Sequence, residues 1–327
     1  MKPFSYQVVR AVDQASAAGA RPGAAFFAGG TTLLDLMKLE VLAPDLLVDI
    51  NDLPLSTVSH GAAGLSLGAL VRMSDAAAHP EVAGRYPVIA EALLESASPQ
   101  LRNMASLGGN LLQRTRCGYF RDTASACNRR QPGSGCAALT GVHRGHAILG
   151  GSERCVATHA SDLAVALVAL EARVRLSGPQ GARTVALGDF YLLPGETPER
   201  EHDLRPGELI QAIEVPPLPW ARRSRYLKVR DRASYEFALV SAAVALDLDG
   251  GTVRAARVAA GGVGTKPWRL PAVEAALVGA HADRESFTAA AAKAGDGAKP
   301  LPHNAFKVEL LKRTLVQALL ETARKEA

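Results

Sequence analysis

The sequence predicts an α+β protein that is built in two parts. A chain of 327 residues suggests about two domains, since a domain usually takes roughly 150 residues. Short strand-like and helical segments alternate near the N-terminus, which is typical of a compact βαβαβ unit. The run Pro216-Pro217-Leu218-Pro219 fits neither a helix interior nor a central strand, and it therefore indicates a boundary between the parts.

The elements of the first part follow from hydrophobic periodicity and turn residues. The βαβαβ unit is predicted from strands and helices at residues 4–6, 12–20, 24–28, 33–39 and 46–50. Thr32 or Asp35 is available to cap the second of these helices. Later strands are predicted at 64–67, 173–176, 183–186 and 208–215, and helices at 74–78, 88–96 and 163–171. Ser161-Asp162 is placed to cap the last of these helices, which is strongly apolar.

The second part shows longer strand patterns and one clear helix. Strands are predicted at residues 225–230, 242–248 and 253–260. Asn304 is expected to cap a final helix with Val308, Leu311, Leu315 and Leu319 on one face. No internal repeat is apparent, so the whole chain is expected to be mixed α and β.

Composition excludes several protein classes. The formal net charge is +5 with 21% charged residues, which is too ordinary to indicate nucleic-acid binding. No apolar run approaches the roughly 20 residues that cross a bilayer, and the N-terminus has no secretory signal pattern. A membrane-spanning protein, a collagen-like chain and a disulfide-stapled mini-protein are therefore not expected.

Two glycine turns are candidate phosphate-binding loops. Ala28-Gly29-Gly30-Thr31-Thr32 lies between a strand and a helix, and Ser106-Leu107-Gly108-Gly109-Asn110 has a similar composition. Paired glycines let the backbone approach a ligand, and N–H groups at a helix start favour an anion. Neither the Rossmann nor the Walker fingerprint occurs, so plain turns are the alternative reading.

The four cysteines are clustered and indicate one site. Cys117, Cys127, Cys136 and Cys155 fall within 39 residues, in a region without periodicity. Their spacing matches no common zinc finger or ferredoxin pattern, and four thiolates suit either zinc or an iron–sulfur cluster. Nearby arginines at 114, 116, 121, 129 and 130 would offset thiolate charge, and His143, His146 and His159 are possible further ligands.

Several motifs together resemble the FAD-binding subunit of the molybdenum hydroxylases, the family that includes xanthine dehydrogenase, carbon monoxide dehydrogenase and aldehyde oxidoreductases. The first flavin segment of that family is similar to residues 28–38, and the second to residues 100–110. The later family motifs match Ser161-Asp162, the lysine-led segment 228–234, and Gly261-Gly262-Val263 with Lys266-Pro267. These motifs occur in the family's order, and the resemblance spans essentially the entire chain.

The cysteine-bearing insert at residues 113–156 is absent from most members of that family. It resembles the insert in the FAD subunit of bacterial periplasmic aldehyde oxidoreductases, chiefly at 113–117 and 132–139. This resemblance implies that the four cysteines ligate a [4Fe–4S] cluster. Most relatives pass electrons to FAD without such a cluster, so we expect it to be structural or a side reservoir.

The resemblance also implies the domain organisation. A two-part FAD-binding domain of the PCMH/VAO-like type is expected at residues 1–219, with subdomains of about 1–55 and 56–219. A smaller α/β domain of the CO dehydrogenase flavoprotein C-terminal type is expected at 220–327.

The residues expected to bind FAD are implied by the same family motifs. Backbone N–H groups of the first turn would hold the pyrophosphate, the second turn would approach the cofactor from its other side, and Asp162 would accept a hydrogen bond from a hydroxyl. Lys228 would lie nearby, with a solvated or partner-facing surface as its alternative. The full set is Phe27, Ala28, Gly29, Gly30, Thr31, Thr32, Leu33, Ser106, Gly109, Asn110, Asp162 and Lys228. No catalytic side chain is expected, because FAD carries the redox chemistry.

The resemblance implies partners and an activity. A large subunit with a molybdenum cofactor would oxidise an aldehyde to a carboxylic acid, and a small subunit with [2Fe–2S] clusters would pass the electrons on. FAD in this chain would deliver them to an external acceptor. No nucleic acid and no membrane insertion are expected. Export to the periplasm with a signal-bearing partner is expected, and the cytoplasm is the alternative.

Other functions stay open at this stage. The chain could be the flavin subunit of a xanthine dehydrogenase or 4-hydroxybenzoyl-CoA reductase type of enzyme. A free-standing flavin enzyme would need its own acid and base, but His60, His79, His202 and His281 share no motif context. A zinc-stabilised binding module without redox activity is the remaining alternative.

Overall fold

The computed structural model describes residues 1–325 and shows the expected α+β architecture. The strands are β1 (Ser5–Val8), β2 (Ala24–Phe27), β3 (Leu46–Asp49), β4 (Val58–Gly61), β5 (Gly64–Gly68), β6 (Arg173–Gly178), β7 (Gly181–Ala186), β8 (Leu209–Val215), β9 (Ser224–Val229), β10 (Val240–Asp249), β11 (Thr252–Gly261) and β12 (Trp268–Arg269).

Most helices are short, and only one is long. They are α1 (Val12–Gly19), α2 (Leu33–Lys38), α3 (Met73–Ala78), α4 (Pro80–Arg85), α5 (Pro87–Leu94), α6 (Pro99–Met104), α7 (Leu107–Leu111), α8 (Gly118–Arg121), α9 (Asp162–Ala169), α10 (Leu187–Phe190), α11 (Pro271–Leu277), α12 (Arg284–Ala291) and α13 (Phe306–Ala323). Among residues 1–325, no helix is long and apolar enough to cross a membrane.

The N-terminal unit is a three-stranded parallel sheet in the order β1-β3-β2. Parallel strands need a crossover, and α1 and α2 supply the two crossovers of the predicted βαβαβ unit. Parallel strands end at the same edge of a sheet, so the chain leaves β2 and β3 on one side. The first glycine turn follows β2 at that edge, and Asn51 follows β3.

The middle of the chain forms a five-stranded antiparallel sheet in the order β4-β5-β8-β6-β7. Helix α9 is buried along its whole length. A helix that is apolar all round must be covered on every side, and α9 contacts α5, β10 and β11. The hydrophobic core of this sheet therefore continues into the C-terminal part.

The C-terminal part is an antiparallel sheet in the order β12-β11-β10-β9. Side chains on β10 alternate between two cores, as the strand period of two requires. Ala243 and Ala245 face the core that contains α9, whereas Ala242, Val244 and Leu246 face the core formed with α11 to α13. Alanine on the first face leaves room for α9 to pack closely.

Two predicted helix caps are wrong. Asn304 does not cap α13, because Ala305 holds the cap position and the Asn304 side-chain oxygen accepts a hydrogen bond from the Leu301 N–H at 2.7 Å. Helix α2 starts after Thr32, but neither this side chain nor that of Asp35 accepts a capping hydrogen bond. Local capping rules failed here because these side chains have tertiary partners or face a cavity.

Candidate cofactor site

The two glycine turns lie against each other. A Cβ on Gly29 would overlap the carbonyl oxygen of Met104, two residues before the second turn. Gly30 adopts a φ of 70°, which an L side chain rarely adopts. Glycine is therefore required at both positions, one for close backbone approach and the other for conformation.

Two residues that were not predicted to bind FAD hold the two turns close together. The Asn51 side-chain amide donates to the Ala28 carbonyl at 3.1 Å, and Arg72 donates to the Asn51 side-chain oxygen at 2.9 Å. Arg72 also donates to the Met104 carbonyl at 2.6 Å. Arg72 and Asn51 therefore connect the backbones next to the two turns. Neither residue belongs to the set of FAD-binding residues predicted from the sequence.

The second turn starts a short helix. The Ser106 hydroxyl caps α7 by accepting from the Gly109 N–H at 3.2 Å. Asn110 is buried, and its side-chain oxygen accepts from the Ser161 hydroxyl at 2.6 Å. Ser161 in turn caps α9, so α9 is capped by Ser161 and not by Asp162. The second turn and the start of α9 are thus held together.

Two adjoining cavities surround the turns. One of about 210 Å³ is lined by Gly29, Gly30 and Leu33 among others, and a second of about 440 Å³ is lined by Asn110, Asp162 and Lys228 among others. Both are bordered by Thr31, Thr32 and Gly109. Cofactor sites typically occupy about 300–1,000 Å³, so the joined space suits a large elongated molecule.

The predicted FAD-binding residues lie at these cavities with one exception. Ala28, Gly29, Gly30, Thr31, Thr32, Leu33, Ser106 and Gly109 line the first cavity, and Asn110, Asp162 and Lys228 line the second. Phe27 lines neither cavity. Its ring packs against Tyr6 with centroids 6.2 Å apart, and Phe26 borders the first cavity instead.

Asp162 and Lys228 form a buried ion pair at the second cavity. The Lys228 ammonium lies 2.8 Å from the Asp162 carboxylate, and their side chains are 1% and 7% exposed. The Tyr226 hydroxyl and the Ser96 hydroxyl also donate to this carboxylate, at 2.6 and 3.1 Å. Burial first, and then the Asp162 charge, raises the pKa of Tyr226 well above its usual value, so that hydroxyl stays a donor.

The surface alternative for Lys228 is therefore wrong. Arginines close to Lys228 in sequence form ion pairs as well. Arg225 lies between Glu91 and Glu321 at 3.3 and 2.9 Å, and Arg230 pairs with Glu95 at 2.8 Å. The charges of these two arginines are thus balanced by carboxylates within the chain. At the rim of the second cavity, Asp35 on α2 accepts from Arg116 and Arg121, at 3.3 and 2.7 Å.

The four cysteines converge on one enclosed space. Cys117, Cys127, Cys136 and Cys155 all line it, and none forms a disulfide. The backbones of Cys127 and Cys136 are hydrogen-bonded neighbours in an isolated antiparallel β-bridge. Burial raises the pKa of Cys117 to about 11 and also raises that of Cys136. Burial therefore favours the protonated form of both thiols.

Nitrogen donors face two of the sulfurs. His146 Nε2 lies 3.2 Å from Cys117 Sγ, and Arg129 Nη2 lies 3.6 Å from Cys155 Sγ. The buried Nε of Arg129 has no hydrogen-bond partner in residues 1–325. A buried guanidinium beside the cysteines with an unused donor suits a site that carries negative charge, as ligating thiolates do.

The other two candidate histidines are used elsewhere. His143 stacks on His303 with ring centroids 4.3 Å apart, and His159 packs edge-on against Tyr191 at 4.5 Å. Across the described part of the chain, no three His, Cys, Asp or Glu side chains are arranged to hold a single metal ion. A single zinc ion would need its ligands within about 2.3 Å.

Comparisons with known proteins match each of the two parts of the chain to a protein family. Residues 2–218 match the family described as the FAD binding domain in molybdopterin dehydrogenase. Residues 225–327 match the CO dehydrogenase flavoprotein C-terminal domain. The match covers nearly the whole chain and includes both glycine turns.

Individual relatives agree with this assignment. The aldehyde oxidoreductase FAD-binding subunit PaoB of Escherichia coli (strain K12) is 51% identical over 98% of each chain. The glyceraldehyde dehydrogenase medium chain of Sulfolobus acidocaldarius is 31% identical over 91% of this chain and 89% of its own length. Their names mention FAD or a medium chain but no iron–sulfur cluster, so they do not support the expected [4Fe–4S] cluster.

Solved structures show the same fold. Carbon monoxide dehydrogenase from Hydrogenophaga pseudoflava superposes with a TM-score of 0.75 at 27% identity, covering 97% of this chain and 96% of the other. Quinoline 2-oxidoreductase from Pseudomonas putida 86 gives 0.76 at 25% identity, covering 98% and 97%. The fold is therefore that of the flavoprotein subunits expected from the sequence motifs. Together with the matched family models, these likenesses show that the chain belongs to the FAD-binding subunits of the molybdenum hydroxylases, a family of oxidoreductases.

Proposed function

We propose that this chain binds FAD across its two glycine turns and is the electron-transfer subunit of a heterotrimeric molybdenum-dependent aldehyde oxidoreductase. The observation that carries the proposal is the contact between the turns, which joins two cavities lined by the predicted residues. The 51% identity to an aldehyde oxidoreductase subunit favours an aldehyde over other substrates.

The backbone of the first turn would hold the pyrophosphate of FAD. Gly29 and Gly30 carry no side chain to block approach, and α2 starts directly after Thr32, which lines both cavities. Gly109 and Asn110 would contact the cofactor from the second turn. Bound FAD would supply the redox chemistry, while this chain supplies binding, orientation and electrostatics.

Lys228 would act through its position at the second cavity. Its ammonium has three donors, and two are used by the Glu95 carbonyl at 3.0 Å and by Asp162. The third is available for an acceptor on the cofactor. The Asp162 carboxylate already accepts three hydrogen bonds, so its main effect is to hold Lys228 in place, with little remaining capacity for a cofactor hydroxyl.

Two partners complete the proposed enzyme. A large subunit with a molybdenum cofactor would oxidise the aldehyde to the carboxylic acid, and a small [2Fe–2S] subunit would pass the electrons to this chain for delivery to an external acceptor. We retain the division into residues 1–219 and 220–327 for the two domains. We also propose that the complex is exported to the periplasm with a signal-bearing partner.

We further propose that the four cysteines hold a [4Fe–4S] cluster. Their convergence, the Arg129 guanidinium beside Cys155 and the His146 nitrogen beside Cys117 support this proposal. Thiolate ligands are soft and suit iron–sulfur clusters, and hydrogen bonds to the sulfurs tune them. We assign the cluster a structural role, because it lies in an insert.

An anaerobic absorbance spectrum of the purified full-length chain, with FAD, iron and zinc quantified, tests the proposal. We expect flavin bands above a broad iron–sulfur shoulder, with about four irons per chain. Zinc without flavin would overturn the flavoprotein proposal. Flavin without iron would overturn only the cluster.

The structural role of the cluster is tested by Cys136→Ser, with Thr140→Ser in the same insert as the control. We expect Cys136→Ser to lower both yield and melting temperature, because one ligand is lost, while the control matches wild type. A Cys136→Ser chain that folds normally and loses only flavin reduction in the assembled complex would show that the cluster relays electrons.

A further inference from the structure

A partly buried triad of charges extends from the cysteine site to the first cavity. The Glu201 carboxylate bonds to Arg114 through one oxygen, and its other oxygen lies 2.6 Å from Arg129 Nη1. The side chains of Glu201 and Arg129 are 14% and 6% exposed. One carboxylate thus pairs with two guanidinium groups that are distant in sequence.

The two ends of the triad reach different sites. Arg114 lines the cavity of about 210 Å³ beside the first glycine turn, and its guanidinium lies 4.9 Å from the centre of the Phe120 ring. Arg129 lies at the cysteine site, 3.6 Å from Cys155 Sγ. Arg129 is not among the residues that line either FAD cavity.

The positions of both arginines depend on the same carboxylate. An arginine stays protonated inside a protein, so it cannot lose its charge when its partner is removed. Without Glu201, two uncompensated cations would share a mostly buried space, and removing one partner of a buried ion pair is strongly destabilising for that arrangement. Each guanidinium would then have to move towards other acceptors.

We propose that Glu201 is a positioning residue that couples the FAD cavity to the cysteine site, because it holds Arg114 at one and Arg129 at the other as a single unit. The inference rests on the proposed binding of FAD, and the proposed cluster supplies one of its readouts. A change at either end of the triad is then transmitted to the other end.

The full-length chain, purified anaerobically, provides the test. In Arg129→Gln we expect the Kd for FAD to rise about fivefold or more, within the usual range of coupling between sites, although Arg129 does not line the FAD cavities. In Glu201→Gln we expect both the FAD Kd and the iron content to change. Glu199→Gln is the matched control, because Glu199 lies two residues before Glu201 and is exposed.

The outcomes separate coupling from a plain structural role. An Arg129→Gln chain that loses iron but keeps the wild-type FAD Kd would overturn the inference, as would a Glu201→Gln chain with a lower melting temperature and unchanged FAD Kd. If Glu201→Gln does not accumulate, the FAD Kd of Arg129→Gln and of the conservative Arg129→Lys tests the coupling. We expect Arg129→Lys to restore the FAD Kd towards the wild-type value.

Failure of the proposed function is visible in the wild type itself. A wild-type chain that holds FAD but no iron would refute the cluster. The coupling is then tested by measuring the FAD Kd and the rate at which iodoacetamide alkylates Cys155. Both must change in Glu201→Gln for the coupling to stand. A wild type without affinity for FAD overturns the proposed function and the inference together.

Discussion

Gly29 lies at a close approach between the two halves of the proposed FAD site. Its missing side chain is what lets the first turn contact the Met104 carbonyl, and Arg72 binds the same carbonyl. This close contact between backbones therefore sets the separation of the two turns. Since residues of both turns line the two cavities, this separation determines whether the turns reach one ligand together.

Gly29→Ala is expected to weaken FAD binding more than tenfold, because the new Cβ would push the two turns apart and one tenfold step corresponds to about 1.4 kcal/mol. FAD titration followed by flavin fluorescence measures the effect. Gly84→Ala is the control, since a Cβ at Gly84 on α4 meets no atom within 4 Å. Equal affinities in the two variants would contradict the contact as a determinant of binding.

Arg72→Ala is expected to weaken FAD binding at least tenfold, because it releases both the Asn51 side chain and the Met104 carbonyl. Each is a hydrogen bond to a charged group worth about 1.5–3 kcal/mol, and a tenfold change in Kd corresponds to about 1.4 kcal/mol. Equilibrium dialysis with FAD measures this. Arg85→Ala is the control, because Arg85 is more exposed and pairs with Glu81 within α4. Normal affinity in Arg72→Ala would show that the glycines alone hold the turns together.

Short elements of this fold are held by side chains from outside them. Strand β7 is an edge strand, and its Arg183 reaches Glu208 and Asp203 in the segment before β8. Glu208 also accepts from the Arg205 N–H at 2.8 Å. This ion-pair network fixes the connection that brings β8 into the centre of the sheet.

The same network predicts a pH dependence of stability. Burial raises the pKa of Glu208, but hydrogen bonds from Arg183 and Arg205 outweigh it and hold the pKa below its usual 4.5. The hydrogen bond from Arg183 lowers the pKa of Asp203 below its usual 3.8. The folded state therefore binds fewer protons than the unfolded state. The network's stabilisation is fully present above about pH 5 and is lost as the pH falls through these lowered values.

Glu208→Gln should therefore reduce the free energy of unfolding at pH 7 by about 1.5–3 kcal/mol, and the difference from wild type should shrink towards pH 3. Urea unfolding at several pH values measures it. Glu199→Gln, at an exposed position in the preceding loop, should follow wild type throughout. A Glu208→Gln deficit that stays constant with pH would argue against the ion pair as its source.

At the scale of the whole molecule, the cysteine insert connects the two parts of the chain. The N–H groups of Ile148 and Leu149 both donate to the Val263 carbonyl, at 2.8 and 3.0 Å. From α13, the buried Lys307 ammonium donates to the carbonyls of Gly145, His146 and Gly262, at 3.0, 3.1 and 2.8 Å. The insert thus packs between the FAD site and the C-terminal sheet.

Lys307→Met is expected to lower the free energy of unfolding by about 3 kcal/mol, because three buried carbonyls lose their donor and methionine fills the space without replacing it. Thermal unfolding of the full-length chain measures the change. Lys293→Met, at an exposed position, is the control. An unchanged melting temperature would mean that the insert is held by the backbone pairing with Val263 alone.

The sequence was informative wherever a pattern is local. Periodicity predicted β10, β11 and α13, and the paired glycines with their following helix predicted the first turn. Short elements such as β4, α4 and α6 were missed, because four to six residues do not display a period. The clustering of the cysteines indicated one site, and the four side chains line one enclosed space; the cluster itself stays a prediction.

By itself, therefore, the sequence determined the fold class, the family and the residue types at the cofactor site. Tertiary structure alone decided which residues meet: Arg72 with Met104, Glu201 with both Arg114 and Arg129, and Lys307 with the insert. The physical reason is that each contact joins segments more than 30 residues apart. Local periodicity and propensity carry no information about contacts between such distant segments. The packing of the sheets and helices brings the partners together.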